Sequence, residues 1–509
     1  MAEARAERWR GGLILVVCVL VAHAGSLRNG FHYDDEHSLL ENPHVRSLAD
    51  PGCFSGMPEA RMYRPLVLAT YALNYAAGGY APPGYHLVNL VLHLLVCLAS
   101  WRLFRILVPD SGAALIAALV LGLHPLCTEP VSYVSARSSV LATLFVVLGM
   151  WVLVRQATAL RPGRTVAFLA ACQLAALGAK EIGVVLPLLG AVWLVSRPRS
   201  MIVVNSDGPD STASVGRSAR PWVLLAAPAA VCLVYLIATR AILGKAILEP
   251  VRPLAVQTAT QLKAAGFYLW KVAAPFHLSV EPQFRAASVP VEAAGVVALL
   301  LAGSLLWLAA RQRHRNPTVW LGCCWFGLAL LPSSLVPLNV LVNEHRLYLP
   351  LVGAALALAG LLAAAPSRAR RLLWPVLALF GLLCVQRHPV WQSGERLWAD
   401  AVAQGPRMPR PYVNLGKVYL ESGRLREAIA ISRHALDLDP GLARAHYNIG
   451  TAHLRLSEPD LAVADYRRAL ELQPDLVPAL HNLGTAFQEQ GLFRQAVVAY
   501  RQALALQPT

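Results

Sequence analysis

Residues 85–107 read YHLVNLVLHLLVCLASWRLFRIL, an apolar run that decides the class of fold. An α-helix that crosses a lipid bilayer needs about 20 predominantly apolar residues, and this run supplies them. Further apolar stretches, some of them shorter, occur at 11–27, 113–123, 140–154, 166–177, 183–195, 222–243, 291–310, 319–338, 347–365 and 372–385. The sequence therefore predicts an all-α, polytopic membrane helix bundle with about 11 spans.

Composition supports the same class. Hydrophobic residues make up 56% of the 509 residues and charged residues only 15%, with a mean hydropathy of +0.48; soluble domains are less apolar and more charged. The net charge of +16 comes mostly from arginines in short clusters between apolar runs. Such clusters indicate membrane topology, and without one basic face they argue against nucleic-acid binding. The nine cysteines show no metal-ligand spacing.

Arginine placement predicts an orientation. If the N-terminus is cytoplasmic and the first stretch is a signal anchor rather than a cleaved signal peptide, the arginine clusters fall on one side. They lie at 5–10, 102–105, 155–164, 197–220, 311–315 and 368–371. This requires 262–280 to be interfacial or re-entrant, because its lysines and proline disfavour a crossing. Residues 28–84 then form an outer loop, 197–220 a cytoplasmic loop, and the C-terminal tail lies outside.

Polar motifs fall at the outer ends of these spans. They are YDDEH (33–37), GYHLVN (84–89), HPLCTEPVSYVSAR (124–137), AKE (179–181), LEPVRP (248–253) and NEHRLYLP (343–350). Ionisable groups at the edge of the hydrocarbon are costly, so several that converge on one face predict a functional site there.

The composition changes after the membrane domain, predicted at 1–390, and a linker predicted at 391–405. Asn-Leu/Ile-Gly recurs every 34 residues, and the spacing of small residues and prolines is that of tetratricopeptide repeats, three of which are predicted over 406–509. Most repeat residues are expected to be structural. Their concave surface, near Asn414, Asn448 and Asn482, is a candidate site for an acceptor peptide.

Several motifs together resemble one family. They are NGFHYDDEHSLLENPHV (29–45), RPLVLATYALNYAAGGYAPPGYHLVNLVLH (64–93), HPLCTEPVSYVSARSSVLATLF (124–145), KEIGVVLP (180–187) and NEHRLYLPLVG (343–353). In this order, and followed by the repeats, they resemble the transmembrane and tetratricopeptide repeat-containing O-mannosyltransferases, which are GT-C glycosyltransferases. The resemblance implies transfer of mannose from a polyprenyl (dolichyl-type) phosphate donor to Ser or Thr hydroxyls of a protein acceptor on the outer face.

The resemblance also implies roles for residues. Asp34 or Asp35 is expected to be the catalytic base, although these acids could instead open a short helix. Arg137, Lys180 and Arg346 are the candidates for binding the donor phosphate. Supporting candidates are Glu36, His86, His124, Glu129, Glu181, Glu344 and His345. No cofactor is predicted with certainty. A divalent metal stays open, because acids and histidines are available as ligands but the resemblance does not require a metal.

Two other functions are compatible with the sequence. A transporter or flippase of lipid-linked sugar would suit many spans, but no inverted repeat is visible. A membrane-anchored scaffold would suit the repeats, but not the clustered outer charges. A bacterial inner membrane is favoured over the endoplasmic reticulum membrane, with the repeats on the outer or lumenal side.

Overall fold

The computed structural model describes residues 2–55, 64–156, 162–196, 222–248, 252–289, 292–336 and 340–507. Within these ranges the chain is helical and contains no β-strand, which confirms the all-α prediction. It divides into two compact units, one of Met1–Phe276 with Arg285–Trp391 and the other of His277–Phe284 with Gln392–Thr509. The predicted cytoplasmic loop 197–220 lies outside the described residues.

The first unit is a bundle of apolar α-helices. In chain order they are α1 (Ala2–His23), α2 (Gly52–Ser55), α3 (Pro65–Gly78), α4 (Pro82–Leu107), α5 (Ser111–Leu123), α6 (Thr128–Ser132), α7 (Arg137–Gln156), α8 (Pro162–Ala179), α9 (Val185–Ser196), α10 (Val223–Leu248), α11 (Leu254–Ala273), α12 (Ala293–Arg311), α13 (Pro317–Leu335), α14 (Tyr348–Ala364), α15 (Ser367–Arg371) and α16 (Leu373–Arg387). Helices α1, α4, α5, α7, α13 and α14 supply most of the buried core.

Eight helices in the described ranges are long and apolar enough to cross a membrane, so this is a multi-pass membrane protein. A ninth crossing arises if α5 and the bent segment Pro125–Ser132, which meet at 50°, count as one broken span. Two shorter apolar helices, Gly163–Ala179 and Glu181–Ser196, account for the remaining predicted segments. Helix α11 is not among the crossing candidates, and its predicted interfacial position stays a prediction.

Glycines allow two spans to pack in backbone contact. A Cβ atom on Gly353 of α14 would lie 2.7 Å from the carbonyl oxygen of Gly322 in α13, and 2.7 Å from the backbone nitrogen of Phe326. Close approach through small residues is how membrane helices gain van der Waals contact without a hydrophobic driving force. The α13–α14 pair therefore has no room for any larger side chain at Gly353.

Gly353→Ala is expected to destabilise the bundle by about 1–3 kcal/mol, because overpacking against backbone atoms forces the helices apart. Thermal unfolding of the purified protein in detergent measures this effect as a lower Tm. Gly381→Ala is the matched control, since Gly381 lies in α16 and a Cβ there meets no atom within 4 Å. Equal Tm values for the two variants would contradict the packing argument.

The second unit contains helical hairpins. Its helices are α17 (Gly394–Gln404), α18 (Pro409–Glu421), α19 (Leu425–Leu438), α20 (Ala443–Arg455), α21 (Pro459–Leu472), α22 (Val477–Glu489) and α23 (Phe493–Leu506). The repeating glycines sit where the two helices of a hairpin meet: a Cβ on Gly450 would lie 2.9 Å from the ring of Tyr466, and one on Gly484 2.6 Å from Tyr500. The stretch 391–405, predicted to be a linker, instead contains α17, whose Leu397, Trp398 and Ala401 are buried.

Candidate functional site

The acidic motif follows the turn Ala24–Arg28 that ends the first span. Tyr33 has φ of 58°, in the left-handed region that a bulky residue seldom adopts. Asp34 and Asp35 then begin a helical turn that continues through Glu36–Leu40. The acids therefore lie at the start of a short helical segment, and the catalytic role predicted for one of them stays a prediction. We call the end of the bundle that carries residues 29–46 the acidic end.

The two aspartates have different surroundings. Asp35 is completely buried, and its carboxylate accepts hydrogen bonds from the Ser135 backbone N–H at 2.7 Å, the Ser135 hydroxyl at 2.5 Å and the His32 N–H at 3.1 Å. Burial raises the pKa of Asp35 to about 7, and these hydrogen bonds oppose that shift. Asp34 is exposed. Only Asp34 can therefore meet a substrate without a rearrangement of the loop.

Tyr133 supports the position of Asp34. Its hydroxyl oxygen accepts a hydrogen bond from the Asp34 backbone N–H at 3.1 Å. The Tyr133 ring stacks on the Trp391 ring with centroids 5.8 Å apart, and the Trp391 carbonyl lies 2.6 Å from Nε2 of His32. The acidic loop is thus held from both sides by aromatic residues of other segments.

Charged side chains from distant segments meet beside this loop. Nδ1 of His345 lies 2.9 Å from Oε1 of Glu129, a carboxylate that is only 4% exposed. Glu129 also interacts electrostatically with Arg387, Lys180 and Arg346, and His345 interacts in the same way with Asp34. We call Asp34, Glu129, Lys180, His345, Arg346 and Arg387 the ion cluster. It brings together four of the sequence-predicted motifs or their immediate neighbours.

Two cations of the ion cluster, Lys180 and Arg346, are held by neutral groups. Lys180, in the connection after α8, donates to the Ser139 hydroxyl at 2.9 Å. Desolvation by the surrounding protein lowers the pKa of its ammonium to about 8. Arg346 donates to the backbone carbonyls of Leu341 and Val340 at 3.1 and 3.0 Å. In the part of the chain that the structure describes, no carboxylate lies at ion-pairing distance from the Lys180 ammonium or the Arg346 guanidinium, which suits binding of an external anion.

Two of the other predicted carboxylates, Glu344 and Glu181, pair with lysine or arginine. Glu344 lies 3.5 Å from the Lys271 ammonium, in a pair that is almost completely buried. Glu181 lies 3.5 Å from Arg64 at a more exposed position. Glu36 interacts electrostatically with His32 and is partly exposed. These acids therefore organise the acidic end.

Arg137 does not have the phosphate-binding role predicted for it. Its side chain is completely buried, and its guanidinium donates to Asn89, Thr70, Asn74 and the Tyr85 carbonyl at 2.7–3.2 Å. The rings of Tyr71 and Tyr85 cover it at 4.9 and 5.7 Å. Arg137 therefore joins α3, α4 and α7 from inside the bundle.

His86 and His124 also have structural positions. Both are buried; Nε2 of His86 lies 3.3 Å from the Gly30 carbonyl. Nε2 of His124 lies 3.1 Å from the Val272 carbonyl, and its Nδ1 accepts from the Leu126 N–H. Backbone contacts orient these rings inside the bundle, so the described structure does not place His86 and His124 in the supporting role predicted for them.

The three repeat asparagines are not equivalent. Asn448 is buried and donates to the Val413 carbonyl of the preceding repeat at 2.9 Å, so it joins repeats and does not present its amide to a peptide. Asn482 lies 3.4 Å from the Tyr447 hydroxyl and is partly exposed. The Asn414 amide nitrogen is buried and has no hydrogen-bond partner among the described residues. Acceptor binding at Asn414 and Asn482 stays a prediction.

Some residues of the acidic end were not singled out from the sequence. Arg387 lies just before the turn His388–Gln392. Tyr133 and Ser135 lie inside the motif 124–137, whose predicted site residues are His124, Glu129 and Arg137. Arg387 could have been found from the sequence, because it is a cation at the predicted outer end of the last span. No group of three or more His, Cys, Asp or Glu side chains in the described ranges could hold a metal ion.

Comparisons with known proteins identify the second unit and link the chain to a group of enzymes. Family models described as tetratricopeptide repeat match residues 409–442, 443–476 and 477–509, which confirms the repeat prediction. The chain is 37% identical over 131 residues to the protein O-mannosyl-transferase Tmtc1 of Drosophila melanogaster, covering 23% of this chain and 15% of the relative. It is 31% identical to TMTC3 of Mus musculus, covering 26% of this chain and 15% of the relative.

The matched stretches thus span about 15% of the length of these relatives. The resemblance to O-mannosyltransferases predicted from the motifs is confirmed by these matches. Among solved structures, ArnT from Cupriavidus metallidurans bound to undecaprenyl phosphate aligns with 91% of this chain and 80% of its own, at 15% identity and a TM-score of 0.42.

Proposed function

We propose that this chain is a membrane glycosyltransferase that transfers mannose from a polyprenyl-phosphate donor to Ser or Thr hydroxyls of a protein. The observation that carries the proposal is the ion cluster: the exposed Asp34 interacts electrostatically with His345, and Glu129, which contacts His345, interacts with cations of three other segments. The similarity to protein O-mannosyl-transferases supports the sugar and the acceptor. The arginine pattern favours the outer face for the acidic end, in a bacterial inner membrane.

The proposed chemistry uses two parts of the cluster. Asp34 takes the proton of the acceptor hydroxyl as its oxygen forms a bond to C1 of mannose. The bond between C1 and the phosphate oxygen breaks, and the polyprenyl phosphate leaves with the bonding electrons. Lys180 and Arg346 offset the negative charge that grows on this phosphate. Glu129 holds His345, and both orient the cations around the leaving group.

Asp35 has a positioning role in this proposal. Its hydrogen bonds to Ser135 fix the loop at the start of α7. Because Asp34 is the preceding residue, that anchor determines where its carboxylate lies. The left-handed Tyr33 then turns the chain so that the neighbouring acids separate, one into the protein and one toward the surface.

The test is transfer of labelled mannose by the purified full-length protein. Polyprenyl-phosphate-mannose and a Ser/Thr-containing peptide should give a labelled peptide, whereas donors carrying other sugars should react more slowly. A flippase would move the lipid-linked sugar across vesicles without labelling the peptide, and a scaffold would do neither. Absence of label with every donor in the panel would contradict the transferase proposal.

Donor binding is expected to weaken as pH rises above about 8. The reason is that burial lowers the pKa of Lys180 to about 8 in the protein without bound donor. Below that pH the ammonium is charged and attracts the phosphodiester; above it, binding must first supply a proton, so affinity falls up to about tenfold per pH unit. Titration of polyprenyl-phosphate-mannose between pH 6.5 and 9.5 measures this.

Lys180→Arg is the matched control, since a guanidinium stays charged throughout that range. Its donor affinity should be nearly constant with pH, while Lys180→Met should bind weakly at every pH. A wild-type affinity that does not change between pH 7 and 9.5 would rule out the role of Lys180 at the phosphate.

A further inference from the structure

A cavity lined by both charged and apolar side chains lies at the opposite end of α4 from the acidic end of the bundle. It has a volume of about 180 Å³ and lies between the start of α1, the end of α4 and the start of α5. Its lining includes Glu7, Arg10, Gly11, Trp101, Arg105 and Ser111. Arg105 is near the end of α4 and His86 near its start, so the two sites are roughly 28 Å apart along the helix at 1.5 Å per residue.

One wall of the cavity is the Trp101 ring, which packs closely against Gly11 and Gly12 because glycine has no side chain. A Cβ atom on Gly11 would lie 2.9 Å from the Trp101 ring, and one on Gly12 3.2 Å from it. The guanidinium carbon of Arg105 lies 5.3 Å from the centre of the same ring. Trp101 thus forms one wall and holds Arg105 over its face, which limits the rotamers of that arginine.

The charges around the cavity are of both signs. Arg10 and Arg105 contribute two guanidinium groups, whose planar sets of N–H donors match phosphate oxygens. Glu7 contributes a carboxylate, and Ser111 fixes it by donating a hydrogen bond to Oε1 at 2.7 Å. A ligand with only a phosphate would face Glu7 at close range. A ligand with a phosphate and an ammonium group would be complementary to all three side chains.

The surface next to the cavity is apolar and lies in a segment that can cross the membrane, so it can contact lipid acyl chains. Leu13, Ile14, Val17 and Val21 are exposed along α1 in a membrane-crossing segment, so an apolar surface continues from the cavity toward the bilayer centre. The cavity itself is smaller than the roughly 300–1,000 Å³ of drug-sized ligand pockets, which fits a headgroup better than a whole ligand.

We propose that this cavity binds the headgroup of phosphatidylethanolamine, with its phosphate on Arg10 and Arg105 and its ammonium at Glu7. The acyl chains then lie against the exposed apolar surface of α1. The site is separate from the proposed transferase centre and does not depend on it. It would fix the lipid next to the helix that leads into the acidic loop.

Native mass spectrometry of the full-length protein in detergent tests the proposal. Phosphatidylethanolamine, phosphatidylglycerol and phosphatidylcholine with the same acyl chains are added in equal amounts. The wild type should retain phosphatidylethanolamine about tenfold better than either competitor, because its ammonium can donate a charge-assisted hydrogen bond to Glu7, whereas the choline nitrogen has no N–H and phosphatidylglycerol has no cation. Equal retention of the three lipids would overturn the proposal.

Variants separate the two charges. Arg10→Ala combined with Arg105→Ala should lose most of the bound lipid, while Arg102→Ala, an exposed arginine of the same helix outside the cavity, should retain it. Glu7→Gln, a substitution of nearly equal size, should remove the preference over phosphatidylglycerol. Equal losses in Arg102→Ala and the double variant would overturn the site, as would displacement of the lipid by millimolar inorganic phosphate.

Discussion

Replacing Asp34 by asparagine is expected to lower kcat for sugar transfer by about 10²–10⁴-fold, the range that a positioned general base contributes. The exposed carboxylate is the only one of the Asp34–Asp35 pair that an acceptor hydroxyl can reach in the described loop. Asparagine keeps the size of the side chain and the backbone contact with Tyr133, but it cannot accept the proton. Donor affinity should therefore stay within about twofold, because the phosphate cations are unchanged.

Single-turnover transfer from labelled polyprenyl-phosphate-mannose gives the rate, and equilibrium titration gives the donor affinity. Glu41→Gln is the matched control: it is an exposed acid of the same loop whose carboxylate pairs with His37, and its variant should transfer at nearly the normal rate. The opposite pattern, with Asp34→Asn active and a folded Asp35→Asn inactive, would assign the base to the buried residue and contradict our proposal.

The sequence could predict a site at the acidic pair but could not choose between its members. Adjacent residues on an extended chain point to opposite sides, yet the pair lies in a helical turn after the left-handed Tyr33. The choice depends on Ser135, which lies far along the chain and supplies two donors to Asp35. No local pattern encodes that contact, because it exists only after α7 packs against the acidic loop.

A similar reason explains the error at Arg137. An arginine at the predicted outer end of a span satisfies every local criterion for a phosphate ligand, and so does Arg346. The difference is that Arg137 meets Asn74 of α3 and Asn89 of α4, which take up its N–H groups. Span prediction was more successful, since apolar length is a local property of the chain. The broken span α5–α6 is an exception, because its 50° bend shortens each apolar part.

The Arg137 network and the proposed catalytic site share one turn. Asn89, which accepts from the Arg137 Nε, donates to the carbonyls of Tyr133 and Pro130 at 3.2 and 3.4 Å. The Tyr71 hydroxyl donates to the Val134 carbonyl at 3.1 Å. These bonds hold the segment that carries Tyr133 and Ser135, and that segment in turn holds Asp34 and Asp35. Loss of the guanidinium should therefore affect both stability and catalysis.

Arg137→Ala is expected to lower the free energy of unfolding by at least about 3 kcal/mol, because each buried acceptor left without a donor costs roughly 1–3 kcal/mol. Removal of the side chain also leaves a cavity between the rings of Tyr71 and Tyr85, which adds to that cost. Unfolding by SDS in mixed micelles, followed by tryptophan fluorescence, measures the change. Arg137→Lys should recover only part of it, since one ammonium cannot serve acceptors on two helices.

Arg155→Ala is the matched control for this effect. Arg155 lies on the same helix, but its side chain is exposed and its guanidinium lies 5.4 Å from the Trp151 ring, so its loss should cost less than about 1 kcal/mol. The Arg137 variant should also transfer more slowly under conditions where it remains folded, because the turn that anchors Asp35 is loosened. If Arg137→Ala is as stable as Arg155→Ala but no longer binds donor, Arg137 belongs to the phosphate site after all, and the buried network is not what holds the acidic end together.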